Sequence, residues 1–193
     1  MRIIDRETVA RLLTYEAAIP LMRDAMLALS ARRSRQTLRQ ILPLPGGAAF
    51  GVMPGASEET VGAKLISVFP GNFAKGLQSH QGGVLLFDPA DGAPVALIHA
   101  GEITAIRTAA ASAAATDVLA RADAGVLALL GYGEQALTHA RAISRIRTLR
   151  EIRIWGRSPE HAKRLADTLR QELSVPITTH DRPAEAVSRA DMI

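Results

Sequence analysis

Cysteine is absent from this 193-residue chain, which excludes disulfides, thiolate metal sites and a cysteine nucleophile and fits a reducing cytoplasm. Aromatic residues are scarce. Four Phe, two Tyr and one Trp are too few to interleave with cations along a nucleic-acid stripe. Lysine is nearly missing as well: 20 of the 23 cationic residues are Arg, spread over the whole length, and the net charge is only +4. The densest cluster, Arg32-Arg33-Ser34-Arg35, reads as a solvated helix end. No apolar run approaches the roughly 20 residues of a membrane span. The opening MRIIDRETVARLL lacks the apolar core of a secretion signal. These absences predict a cytoplasmic protein without nucleic-acid, membrane or metal partners. What is present, 48% hydrophobic and 22% charged residues, is the balance of a folded globular chain with one or two domains.

The chain has two halves with different grammar. Residues 7 to about 35 carry helical periodicity through Val9, Leu12, Leu13, Ala17, Leu21 and Met26. Short apolar runs follow over 37–44, 48–53, 61–69, 83–87 and 94–99. They are punctuated by Pro45-Gly46-Gly47, Pro54-Gly55, Pro70-Gly71-Asn72 and Asp88-Pro89-Ala90-Asp91-Gly92, the last a hairpin signal. A helix rich in small residues is expected from about Glu102 to Arg121, with the run 109–115 suited to tight packing. From Ala124 strands and helices alternate: strand 125–130, helix 134–146, strand 151–155, helix 159–173, strand 176–179 and helix 183–188. That alternation implies a parallel sheet with right-handed crossovers. The fold class is therefore α/β, with an α+β domain over 1–121 and the first half of a Rossmann-type parallel βαβ domain over 122–193.

The first strand of the second half runs into Gly131-Tyr132-Gly133-Glu134-Gln135-Ala136, a G-x-G-x-x-A turn that opens a helix. Gly131 permits the tight turn, and Gly133 lets the backbone approach a pyrophosphate. Ala136 keeps the helix close to the strand, and the N–H groups at the helix start receive the anion. The second strand ends in Trp155-Gly156-Arg157-Ser158, with no acid to bind ribose hydroxyls. Arg157 and Ser158 suit a 2′-phosphate instead, which favours NADP over NAD.

Three cations interrupt apolar patterns. Lys64 shares a strand face with Gly62, Ile66 and Val68; Arg107 lies on a helical stripe with Ile103 and Ala111; Arg39 sits in a strand two residues before Ile41. Cations in such places require anions. Each reads as a structural ion-pair member or as a ligand for a small carboxylate.

Met53-Pro54, Gly62-Ala63-Lys64-Leu65, Phe69-Pro70-Gly71-Asn72, Ser79-His80-Gln81-Gly82, residues 104–110 (Thr-Ala-Ile-Arg-Thr-Ala-Ala) and the 131–136 turn stand in the order and spacing of the ornithine cyclodeaminase/mu-crystallin family. The resemblance covers essentially the whole chain. It implies a substrate and dimerisation domain joined to a Rossmann domain, as a homodimer. Arg39, Lys64 and Arg107 would hold a substrate carboxylate, with Lys64 either binding that group or relaying a proton. Gln81, Arg107 and Thr108 would lie toward the nicotinamide. Gly131, Gly133, Glu134, Gln135 and Ala136 would cradle the pyrophosphate, and Gly156, Arg157 and Ser158 would surround the adenine ribose. Gly51 and Val52 stand where ornithine cyclodeaminase carries an acid that helps hold its substrate.

The resemblance thus implies an NAD(P)-dependent reductase of a small cyclic imino acid, of the Δ1-pyrroline-2-carboxylate or ketimine type. The alternatives are an ornithine cyclodeaminase, or a non-catalytic ligand-binding relative or inactive fragment. Asp191-Met192-Ile193 reads as the start of a fourth parallel strand. The expectation is a truncated form of a longer enzyme, whose catalytic aspartate and nicotinamide half would lie further on.

Overall fold

The computed structural model describes residues 1–193, apart from the side chain of Phe73. It forms two compact units, one of Met1–Thr14 with Asp24–Thr104 and one of Tyr15–Arg23 with Ala105–Ile193.

In the first unit, β1 (Arg2–Ile4) is followed by α1 (Arg6–Leu12), whose N-cap Asp5 accepts from the Thr8 N–H. The helical periodicity over 7 to about 35 resolves into two helices. The backbone leaves helical geometry at Leu13, and α2 runs from Tyr15 to Ser30, its residues up to Arg23 belonging to the second unit. Arg32 then takes a left-handed φ of 57° while the Arg33 N–H donates to Ala28 O. That closure satisfies the last carbonyls and stops the helix.

The apolar runs become a seven-stranded sheet. Its strands are β1, β2 (Arg35–Gln36), β3 (Gln40–Pro43), β4 (Ala49–Ala56), β5 (Val61–Val68), β6 (His80–Phe87) and β7 (Pro94–His99). The order is β1-β7-β6-β5-β4-β2, with β3 also on β4. Consecutive strands β4 to β7 pair antiparallel, and β1 joins β7 in parallel. The expected hairpin closes with the Asp88 N–H on Ala93 O and Gly92 at φ 75°.

Arg39 does not sit within a strand, because the edge ladder opens between Gln36–Gly55 and Gln40–Val52. Three residues, 37 to 39, face only Met53 and Pro54, and Pro54 has no N–H to contribute. The strand resumes at Gln40, immediately after Arg39.

The second unit carries most of α3 (Ala100–Leu119) and then the alternation expected from Ala124. Its elements are β8 (Val126–Leu130), α4 (Glu134–Ile143), β9 (Glu151–Trp155), α5 (Pro159–Glu172), β10 (Ile177–His180) and α6 (Pro183–Val187). The parallel sheet runs β10-β9-β8. Leu127, Ile152, Ile154 and Leu169 are its largest fully buried side chains. Met192 bridges Leu127 in parallel on the other flank of β8. Asp191 fixes that start: its carboxylate accepts from the N–H groups of Gly125 and Val126 at 2.9 Å and pairs with Arg121 and Arg150.

The units divide inside α3, between Thr104 and Ala105, earlier than the change of grammar near Arg121–Asp123. Arg147 holds the end of α3 within the second unit. Its buried guanidinium donates to the carbonyls of Thr116, Asp117 and Ala120 and to the Asp117 carboxylate. The C-terminal half of α3 is thereby tied to the parallel sheet's unit. Ala109, Ala110, Ala113 and Ala114 are buried, as the small-residue run suggested, and Ala105 joins them.

Candidate functional site

β8 has β9 on one side and the Asp191–Met192 segment on the other. Its C-terminal end is therefore the point where strand order reverses, the place where open α/β sheets bind ligands. The Gly131–Ala136 turn stands there. Gly131 adopts φ 148°, a conformation that side chains rarely take. Its N–H donates to Trp155 O at 2.8 Å, which brings the turn beside the end of β9. A Cβ on Gly133 would meet nothing within 4 Å, so open space faces the backbone there.

Asp5 caps α1 and Ser158 caps α5, but no side chain caps α4. Its first turn begins with the Leu137 N–H on Gly133 O, leaving the N–H groups of Glu134, Gln135 and Ala136 without intrahelical acceptors. An uncapped helix start beside open glycine backbone fits the pyrophosphate of a dinucleotide.

At the end of β9, Gly156 is buried beneath the Tyr132 ring, Arg157 is exposed and Ser158 is half-buried. Arg157 makes no side-chain hydrogen bond or ion pair among the described residues. The Ser158 hydroxyl accepts from the His161 N–H at 3.4 Å and keeps its own proton to donate. The turn and the ribose-side residues expected from sequence therefore come together.

The three cations fare differently. Lys64 is half-buried in the middle of β5, and its Nζ donates to Thr104 Oγ1 at 2.6 Å. The Thr104 hydroxyl in turn donates to Ala100 O at 2.6 Å, so its lone pairs face the ammonium. Lys64 lines a shallow cavity of about 280 Å³ with Met53, Gly62, Ala63 and Val84. Met53 stands opposite Lys64, and its neighbour Val52 stands opposite Gln40. Arg39 thus reaches the sheet next to Lys64's row, exposed and without a side-chain bond among the described residues.

Arg107 is exposed, and the stripe with Ile103 and Ala111 is not the buried one. Ala105, Ala109 and Ala113 form that face with Ile106 and Ala110. A helix whose small and polar residues are spread around its whole circumference offers little contrast by which to choose. Gln81 is exposed on β6, and Thr108 is half-buried on α3. Arg39, Lys64 and Gln81 belong to the first unit; Arg107, Thr108 and the dinucleotide turn belong to the second.

Sequence reasoning missed Thr104 as the partner of Lys64, although it stands one helical turn before Arg107. It also missed Tyr132, whose bulk in the middle of a glycine turn was the available signal. Among the described residues no group of three or more His, Asp or Glu is placed to hold a metal. No helix of the described residues is long and apolar enough to cross a membrane.

A parallel sheet in 3-2-1 order with a glycine turn at its switch point, joined to a mixed sheet bearing a lysine, defines a Rossmann-type α/β protein. Residues 3–193 match the model of the ornithine cyclodeaminase/mu-crystallin family, and the chain belongs to that family. It is 37% identical to mouse ketimine reductase mu-crystallin, over 82% of this chain and 50% of the relative. It is 32% identical to the Delta(1)-pyrroline-2-carboxylate reductase of Bacillus cereus, over 100% of this chain and 60% of the relative. The Thermococcus litoralis Delta(1)-pyrroline-2-carboxylate reductase, solved with NADH and L-proline, superposes with a TM-score of 0.95 at 32% identity. That match covers 100% of this chain and 61% of the other. The chain thus spans between half and about three-fifths of the length of these relatives.

Proposed function

We propose that the protein is an NAD(P)-dependent reductase of a small cyclic imino acid, of the Δ1-pyrroline-2-carboxylate or ketimine type. The observation that carries this reading is the uncapped, open glycine turn at the switch point; within the other unit a half-buried lysine ordered by Thr104 supports it. When bound, a reduced nicotinamide supplies the hydride that such a reduction consumes. Gly131, Gly133, Glu134, Gln135 and Ala136 offer backbone to the pyrophosphate. Arg39, Lys64 and Arg107 hold the substrate carboxylate, and Gln81, Arg107 and Thr108 line the nicotinamide side. Thr104, by accepting one Lys64 proton, fixes the direction of the ammonium.

NADP is preferred over NAD, because Arg157 and Ser158 offer a cation and a hydroxyl where a ribose-binding acid would otherwise stand. The chain acts as a homodimer in the cytoplasm. Ile41 and Leu42 on β3, 51% and 59% exposed, are apolar surface of the kind a second copy covers.

Gly51 and Val52 lie on β4 opposite Ile66 and Leu65. A Cβ on Gly51 would already come within 3.1 Å of Ile41 and Ile66, so this strand has neither an acid nor room for one at Gly51. That favours the reductase over ornithine cyclodeaminase. The assay is NADPH consumption with Δ1-pyrroline-2-carboxylate, run beside ammonia release from L-ornithine. Consumption of NADPH is the expected result; ammonia release without it overturns the reading.

A further inference from the structure

A cavity of about 250 Å³ opens beside the glycine turn, lined by Tyr132, Gly133 and Glu134 on one side and by His161, Arg164 and Thr168 of α5 on the other. Its location ties it to the ribose end of the dinucleotide site. Gly133 belongs to the turn. His161 stands three residues after Ser158, and Arg164 three after His161, so the three follow one face of α5. The Tyr132 ring, lying over Gly156, packs on the His161 imidazole with centroids 5.2 Å apart at 35°. Tyr132 therefore holds the imidazole beside the ribose-reading loop.

The charges favour an anion at the α5 wall. Arg164 has one carboxylate contact, Glu160 at 3.7 Å, with the two side chains 70% and 84% exposed. A pair that loose and solvated binds weakly and leaves the guanidinium available. Arg157 precedes the same helix without a side-chain partner among the described residues. The one carboxylate lining the cavity, Glu134, comes from the opposite wall and keeps an anion on the α5 side.

We propose that His161 and Arg164, with Tyr132 as a positioning residue, extend the Arg157–Ser158 loop into a cradle for the 2′-phosphate of NADP. The inference rests on the NADP preference proposed above and assigns specificity to a second turn of α5. Phosphate suits this cradle because a guanidinium and an imidazole present N–H donors to its oxygens from successive turns.

Calorimetric titration of the whole chain with 2′,5′-ADP and with 5′-AMP tests it, since these probes differ in the 2′-phosphate. The wild type binds 2′,5′-ADP more tightly. Arg164→Gln and His161→Gln each lower that affinity by roughly three- to tenfold and leave 5′-AMP within about twofold, as expected for loss of one partly solvated charge-assisted bond. Lys163→Gln, exposed on the same helix but outside the cavity, serves as the control for general charge and changes neither. All three positions are exposed on α5, so the variants fold. A wild type that binds the two probes equally, or binds neither, overturns the NADP reading and this inference with it. A wild type that prefers 2′,5′-ADP, with Arg164→Gln and His161→Gln matching Lys163→Gln, overturns this inference alone.

Discussion

The Tyr132 ring occupies the space that any side chain at position 156 would need: a Cβ built on Gly156 lies 2.1 Å from Tyr132 Cδ1. The two residues are linked by packing although 24 positions separate them. Gly156→Ala forces the ring off its seat against His161 and destabilises the chain by about 1–3 kcal/mol, the usual cost of overpacking. With Tyr132→Ala in the same chain, most of that cost disappears. Urea unfolding of both single variants and the double variant measures the coupling. Additive losses contradict the packing account.

Gly133 separates folding from binding. Its φ of −83° is open to any residue, and a Cβ there meets no protein atom within 4 Å. Gly133→Ala therefore changes stability by under about 1 kcal/mol, the scale of an N-cap exchange, while weakening dinucleotide binding severalfold. Thermal unfolding together with cofactor fluorescence resolves the two effects. A stable variant that binds as well as wild type shows that the pyrophosphate does not approach this backbone.

Lys64 and Thr104 make a graded pair. Lys64→Ala removes a charge from the proposed carboxylate contact and lowers kcat/KM for the imino acid by roughly 10- to 100-fold, the range of a charge-assisted bond. Thr104→Val keeps the lysine but removes its acceptor 2.6 Å away, so KM rises by a smaller factor with kcat little changed. Steady-state kinetics on both variants decides. A Lys64→Ala chain with the wild-type rate removes Lys64 from the site.

Asp191 makes the second unit sensitive to acid. The N–H groups of Gly125 and Val126, and then Arg121 and Arg150, hold its carboxyl below the ordinary value of 3.8. A depressed folded-state pKa contributes stability that is fully present above 3.8 and lost as pH falls through the lower folded value. Asp191→Asn removes that contribution. Its unfolding midpoint lies below wild type at pH 7, and the gap narrows as the pH drops below about 4. Denaturation series at several pH values check this; a constant gap contradicts it.

Much of this fold was legible because its signals are local. The strand 151–155 and the hairpin at 88–92 carry their own punctuation, and the 131–136 turn announces itself through glycine spacing between a strand and a helix. What failed depends on partners distant in sequence. Arg39 lies outside a strand because three residues, 37 to 39, meet only Met53 and Pro54 of β4 and the ladder opens there. The exposure of Arg107 is not legible because small and polar residues are spread around the whole of α3, so periodicity does not single out one buried face. The attachment of the end of α3 to the second unit involves Arg147, which follows α4 and donates to carbonyls some thirty residues earlier. The Lys64–Thr104 bond joins β5 to α3 across 40 positions, a contact that no local pattern encodes.

Binding of a reduced dinucleotide is the property on which the proposed reductase and its NADP preference both depend. Parallel fluorescence titrations of the 193-residue chain with NADPH and NADH measure it directly. Saturable binding with NADPH the tighter ligand is expected. Tighter NADH binding contradicts the assignment of Arg157 and Ser158, and no binding of either contradicts the dinucleotide site itself.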